Sequence, residues 1–271
     1  MPPTAKLNRL LGALPEKDYE RLVRQCEPVD LPLGWVIYES GSRLQYVYFP
    51  VSGIVSLLNV MRDGASAEIA VVGNEGLVGI VSLLHGDTTL TRTVVLSAGR
   101  AYRLRADVLR REFEHCGPFQ HLLLRYTQSL MTQMAQAAAC NRHHTVEKQL
   151  CRWLLLSLDR LSSNKLRITQ EVIANMLGVR REAVGEAAGR LQAKGVIHYS
   201  RGHITVLSRA KLETLVCECY AAVKGETDRL LPERNRSLKP ALSFLAQSAR
   251  AEVPVAFSRP PSLSTARRMR T

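Results

Sequence analysis

The sequence predicts an α+β chain: an N-terminal β-roll, one long helix, and a C-terminal winged helix-turn-helix. Three observations carry this. From about Leu31 to Arg105, short β-rich runs are punctuated by glycines. From Phe119 to about Ala139 the apolar period becomes helical. Ile168–Leu191 then reads as two short helices around a glycine, followed by a hairpin signal. The implied domains are residues 1–117, the long helix and hinge at 118–143, a reading domain at 144–223, and a basic, disordered tail at 224–271.

With 271 residues the chain can hold two domains with proper cores, and 46% hydrophobic content is globular. No apolar run approaches the length that spans a bilayer. The start, MPPTAKLNRLLG, lacks the long apolar core of a secretion signal, so a cytoplasmic protein away from membranes is expected. The six cysteines fit reduced thiols in such a compartment. A net charge of +13 suits a polyanion partner, but alone it fits a membrane surface equally well.

Residues 7–26 read as short amphipathic helices broken at Pro15. The β-rich runs are WVIYE (35–39), QYVYF (45–49), GIVSLLNV (53–60), SAEIAVV (66–72), RTVVLS (92–97) and RAYRLR (100–105), and no helix of normal length fits before Ala106. Along the long helix, Leu123, Leu130, Met134 and Ala137 form an apolar stripe, read as a homodimer seam; the alternative is that it packs on the β-roll. Asn141–His144 breaks the pattern, and Thr145 caps a second helix.

In ITQEVIANMLGVRREAVGEAAGRL (168–191), Thr169 is the N-cap and Gly178 supplies a turn needing positive φ. Val184, Ala187, Ala188 and Leu191 form the apolar face of the second helix. Its other face carries Arg180, Arg181, Glu182, Glu186 and Arg190, the layout of a helix that offers polar groups to base edges in a major groove. An ordinary helical corner would look similar. Two neighbours favour the DNA reading. Runs flanking Arg201-Gly202 predict a wing hairpin. Charge is also local: residues 160–211 hold ten Lys/Arg against three Glu, whereas residues 1–159 hold seventeen against fifteen acidic groups. Thr169, Gln170 and Arg201 are expected on backbone phosphates. Arg209–Val223 reads as one further helix. From Pro232 onward, five prolines and a net charge of +6 predict the tail, with a helical turn near Ala241–Ala249 at most.

This order of parts resembles the cyclic-AMP receptor / fumarate-nitrate regulator (Crp/Fnr) family of bacterial transcription factors over roughly residues 7–220. The most specific match is ITQEVIANMLGVRREAVGEAAGRL (168–191), close to the family's signature of Arg-Glu, two residues, then Gly; next is GNEGLVGIVSLLHGDTTLTRTVV (73–95), similar to the family's phosphate-binding cassette. The resemblance implies a cyclic-nucleotide-binding-like β-roll, a homodimer on double-stranded DNA, RNA polymerase as partner, and base contacts from Arg181, Glu182 and Glu186. An Arg can be bidentate to guanine and a Glu can accept from cytosine N4. Glu186 stands where the best-known member has arginine, so a different half-site is expected. Arg180 stands where a capping Ser is usual, leaving that helix start without a side-chain cap.

For an effector, the resemblance points to Gly73, Glu75, Gly76, Gly79, Arg92, Thr93 and Met134. Arg92 and Thr93 match the pair that holds a cyclic phosphate. Gly79-Ile80-Val81 replaces the family's Gly-Glu-Leu, and isoleucine cannot accept from a ribose hydroxyl. Met134-Ala135 replaces the Thr-Ser pair for adenine. The expectation is an unknown small-molecule effector other than cyclic AMP, with Arg92 paired to Glu75 or an anion. A cyclic-nucleotide-responsive factor, or an interaction module with only non-specific polyanion binding, are the alternatives.

No cofactor and no metal is expected. Only Cys26 lies in the first hundred residues, too few for an N-terminal iron–sulfur cluster. His115-Cys116, Cys140 with His143/His144, and Cys217-Glu218-Cys219 have ligand chemistry but lack paired C-x2-C spacing. Cys217 and Cys219, read on one helix, face apart. Cys140 at the hinge is the most consequential thiol for redox sensing. No nucleophile–base arrangement stands out, and GNEG lacks the lysine of a P-loop, so an enzyme is not expected.

Overall fold

The structure, a computed structural model, describes residues 3–84 and 88–231. A 3-10 turn (Pro3–Leu7) and short helices α1 (Arg9–Gly12) and α2 (Glu16–Val23) lead into β1 (Glu27–Leu31), β2 (Val36–Tyr38), β3 (Tyr46–Pro50), β4 (Ile54–Val60), β5 (Ser66–Val72), β6 (Arg92–Ser97) and β7 (Gly99–Arg105). Then come α3 (Ala106–Glu114), α4 (Pro118–His143), α5 (Val146–Leu158), β8 (Lys165–Arg167), α6 (Gln170–Leu177), α7 (Arg181–Ala193), β9 (Ile197–Ser200), β10 (His203–Val206), α8 (Arg209–Leu215) and α9 (Glu218–Leu230).

The six β-runs are six strands. A seventh, β1, escapes the pattern because EPVDL carries a proline and charges; it lies at a sheet edge, where Pro28 removes no needed donor. The roll is two antiparallel sheets, ordered β1-β7-β3 and β2-β6-β4-β5. Val47, Phe49, Val55, Leu57, Val72, Val95 and Leu104 fill the space between them. The outer face of the four-stranded sheet is covered too. Ile54, Leu58, Val71, Val94 and Leu96 join Trp153, Leu154, Ile173 and Met176 of the C-terminal domain in a second core. Burial on both faces explains why β4 reads as an almost unbroken apolar run.

Pro118 opens α4, whose 26 residues span about 39 Å. Its Leu123, Leu130 and Ala137 are buried in the chain's own structure, the first two in the β-roll core, and Met134 packs partly against that core. The stripe read as a dimer seam is therefore an intrachain contact. Gln133 reinforces it by pairing through Oε1 and Nε2 with the Val71 backbone N–H and C=O, at 2.8 and 3.2 Å. The apolar residues left outward include Leu124, Met131, Ala135 and Ala138.

The break expected over Asn141–His144 falls at its last residue, His144, with Asn141–His143 still helical. Thr145 caps α5, accepting from the Lys148 N–H. The helix expected over Arg209–Val223 is two: Val216 and Cys217 adopt extended angles, and α9 starts afresh with Cys217 as N-cap. Helix α9 runs to Leu230, past the boundary set at 223, and lies along α4. Leu230 and Leu231 enter the β-roll core, and Arg9 Nη2 donates to the Leu231 carbonyl at 3.0 Å. The basic stretch from Pro232 onward, with its helical turn near 241–249, lies outside the described residues.

Candidate nucleic-acid interface

Thr169 Oγ1 accepts from the Val172 N–H and starts α6. Gly178 ends it at φ 67°, ψ 35°, the left-handed conformation the turn needs. Helix α7 follows with Arg180 at its N-cap and no side-chain cap, as the sequence implied. Val184, Ala187, Ala188 and Leu191 are buried. Gln170 crosses α7 at Gly185, where an added Cβ would lie 3.6 Å from the amide oxygen. The opposite face exposes Arg180, Arg181, Glu182, Glu186 and Arg190.

The wing is a three-stranded sheet, β8-β10-β9, whose first strand the sequence did not reveal. Its tip pairs Arg201 at φ 46° with Gly202 at φ 77°, the positive-φ pair of a type I′ hairpin. Between tip and reading helix lies an open cleft of about 330 Å³, lined by Thr169, Gln170, Glu171, Arg181, Tyr199, Arg201 and Gly202. The Ile168 N–H donates to the Gly202 carbonyl at 2.7 Å, fixing the wing beside α6. Burial raises the Tyr199 pKa, so its hydroxyl stays protonated and donates to the Ile168 carbonyl.

Arg180, Arg181 and Arg201 take part in no ion pair among the described residues, so their charge is available to an outside anion. Arg190 differs. It pairs with Glu147 of α5 at 2.8 Å, and Lys194 joins the same carboxylate at 2.5 Å, holding the Glu147 carboxyl below the usual carboxylate range. Arg190 thus fixes α7 to α5 more than it offers a free contact. The sequence reading passed over Tyr199, which only the return of the wing brings into the cleft.

The residues assigned to an effector pocket are bound up in the protein, with different partners. Glu75 does not meet Arg92. Its Oε1 accepts from the Gly73 N–H at 3.1 Å and from Arg160 Nε and Nη2, both at 2.8 Å. Arg92 pairs instead with Glu39, Nε to Oε2 at 3.1 Å. Thr93 is buried within β6, and Met134 packs on the core. The glycines are needed for close packing: a Cβ on Gly73 would lie 2.8 Å from Arg160 Cγ, and one on Gly76 2.5 Å from the Tyr126 ring. Gly79, at φ +94°, needs its glycine for backbone reasons.

Away from this surface, Cys140, His144, Cys217 and Cys219 converge at the end of α4. Spacing hid them because Cys217 lies outside the helix that carries Cys219, so the two thiols can turn to one point.

Two family models match this chain: a cyclic nucleotide-binding domain over residues 28–116 and a Crp-like helix-turn-helix domain over residues 148–215. The chain is 23% identical over 198 residues to the CRP-like cAMP-activated global transcriptional regulator of Mycobacterium tuberculosis, covering 70% of this chain and 88% of that protein. It is 22% identical over 218 residues to the global nitrogen regulator of Synechococcus elongatus, covering 77% and 97%. The solved structure of FixK2 from Bradyrhizobium japonicum superposes with a TM-score of 0.61 at 17% identity, covering 71% of this chain and 98% of that one, a likeness of fold.

Proposed function

Because the chain belongs to the Crp/Fnr family of transcriptional regulators, whose members bind DNA and act as dimers, we propose that it is a sequence-specific regulator working as a homodimer on double-stranded DNA. One observation carries this reading: Arg180, Arg181, Glu182 and Glu186 stand outward at the start of α7, beside a wing tip bearing Arg201. Arg181 and Glu182 read base edges, Glu186 shifts the preferred half-site, and Thr169, Gln170 and Arg201 hold phosphates. The two reading helices then enter successive major grooves of a two-fold operator. The dimer forms along the outward face of α4, through Leu124, Met131, Ala135 and Ala138.

The effector is a small molecule other than cyclic AMP. Glu75 is turned inward to Arg160, and buried Ile80 offers no acceptor to a ribose hydroxyl. A ligand reaching the Gly73–Gly76 turn acts on Arg160, and so on the reading domain directly. The protein performs no catalysis, works in the cytoplasm and engages RNA polymerase; among the described residues, no helix is long and apolar enough to cross a membrane.

Enrichment of random duplexes on the purified protein, with and without candidate ligands, tests this reading. A two-fold motif is expected. Random DNA competing as well as any enriched site would overturn it. Saturable micromolar heat on titration with cyclic AMP would overturn the effector reading alone.

A further inference from the structure

At the C-terminal end of α4, ligand-bearing side chains from two distant parts of the chain meet. Cys140 lies in the last turn of α4 and His144 is its C-cap; Cys217 is the N-cap of α9 and Cys219 lies in its first turn. One ligand atom from each lies within 4.8 Å of every other. Cys140 Sγ is 3.6 Å from Cys217 Sγ, and Cys219 Sγ is 3.6 Å from His144 Nδ1.

These spacings fit a tetrahedral ion. Bonds of about 2.3 Å to sulfur and about 2.0 Å to nitrogen place two sulfurs about 3.8 Å apart, and sulfur and nitrogen about 3.5 Å apart. A disulfide would need about 2.05 Å. We propose that Cys140, His144, Cys217 and Cys219 form a Cys3His centre for a thiophilic divalent cation of the zinc class, clamping the reading domain to the end of the long helix.

The surroundings fit as well. Glu218 Oε1 lies 3.3 Å from His144 Nε2, the carboxylate-on-histidine arrangement that fixes a tautomer and leaves Nδ1 free to ligate. Gln149 Nε2 donates to the His144 carbonyl at 2.9 Å, holding that residue in place. All three thiols are buried, and four protein ligands close the site, as in structural rather than catalytic centres. Three thiolates and one dication leave a charge of −1. Arg152, 6% exposed and with its Nε unpartnered among the described residues, supplies a balancing charge near Cys140. A cysteine is ordinarily a thiol at neutral pH and ligates as the thiolate, so metal loading displaces protons: one dication, three thiols and one neutral imidazole give the complex and three protons, with no redox change.

All four ligands lie outside the segments matched by the two family models, which end at 116 and resume only from 148 to 215. The clamp therefore lies in the connecting segments outside both matched domains. It ties the break after α4 to the break before α9.

The test is cobalt(II) titration of the full, reduced, chelator-treated protein, followed by zinc(II). Expected are one equivalent per chain, tetrahedral ligand-field bands with thiolate-to-cobalt charge transfer, their loss on adding zinc, and release of about three protons. C217S and H144A should weaken binding by more than about 100-fold, and E218Q by about 10-fold. C116S, at an exposed cysteine elsewhere, should bind like the parent. Should the ligand variants fail to fold, thiol counting on the parent decides: bound zinc must protect three thiols from alkylation. Cobalt bound without thiolate charge transfer, no metal taken up by the parent, or no protected thiols would overturn the proposal. None of these readouts involves DNA, so they stand or fall apart from the regulatory reading.

Discussion

Glu75, in the glycine-rich turn of the β-roll, and Arg160, just past the last helical turn of α5, form a buried ion pair at 2.8 Å with side chains only 10% and 6% exposed. Arg160 Nη1 also donates to the Leu156 carbonyl at 2.7 Å, so the guanidinium is held from both sides. The turn itself is anchored further: Asn8 Nδ2 donates to the Gly76 carbonyl, and Tyr126 Oη donates to the Leu77 carbonyl. N-terminal segment, long helix and reading domain thus meet at one turn. Removing one partner of such a pair leaves a buried charge uncompensated, at a cost of about 3–5 kcal/mol. R160A and E75Q should each lose that much in chemical denaturation, and the E75L/R160M pair should recover most of it. A double-variant loss equal to the sum of the two single losses would show that the two residues act independently.

The reading helix gives a contrast between two arginines. With Arg181 on a base edge, as proposed, R181A should weaken specific binding by about 1–3 kcal/mol while random DNA binds almost as before. With Arg201 on a phosphate, as proposed, R201A acts at the wing instead. Both kinds of binding should then weaken together, with the salt slope reduced by about 1. Salt-controlled gel shifts on an enriched site and on random duplexes separate the two.

Glu68 sets a pH dependence. It lies on β5 where the sheet meets α5, and burial raises its carboxyl to about 7, although Ser56, Arg152 and Arg160 each pull it down. The docked chain therefore keeps a proton that the opened chain releases. Its contribution is fully present below the ordinary carboxyl range and is lost as pH climbs through about 7. Discounted for partial solvent access, it amounts to about 2 kcal/mol. Denaturation midpoints should fall between about pH 5.5 and pH 8, and E68Q should flatten that fall; an unchanged profile in E68Q would assign the slope to other groups.

Where local pattern decides structure, the sequence was a good guide. Gly178 and the Arg201-Gly202 wing follow from backbone preferences of single residues and stand as read, as does the uncapped start at Arg180 that the resemblance implied. What failed to show was long-range. An apolar stripe on α4 has the same period whether it meets a second chain or the protein's own β-roll. Glu75 and Arg160 are 85 residues apart, so nothing local pairs them. The Cys217–Cys219 geometry turned on whether one helix or two cross Val216, and apolar periodicity runs through that break without a mark.

The two faces of α4 make different predictions. Leu130 faces inward at 6% exposure, whereas Met131, its neighbour in sequence, is 64% exposed and Leu124 is 52% exposed. Leu124, Met131 and Ala138 repeat every seven residues, with Ala135 beside them, the spacing of a helix seam between two chains. L130A should therefore leave a cavity in the monomer and cost about 2–5 kcal/mol without changing the oligomeric state of the folded protein. M131E should do the reverse. An exposed position tolerates the charge in the monomer, but two carboxylates facing each other across a two-fold seam repel, and the dimer should dissociate at concentrations where the parent remains paired. Sedimentation of both variants at matched concentrations decides between them. A monomeric L130A that folds normally, beside a dimeric M131E, would put the seam on the inward face after all.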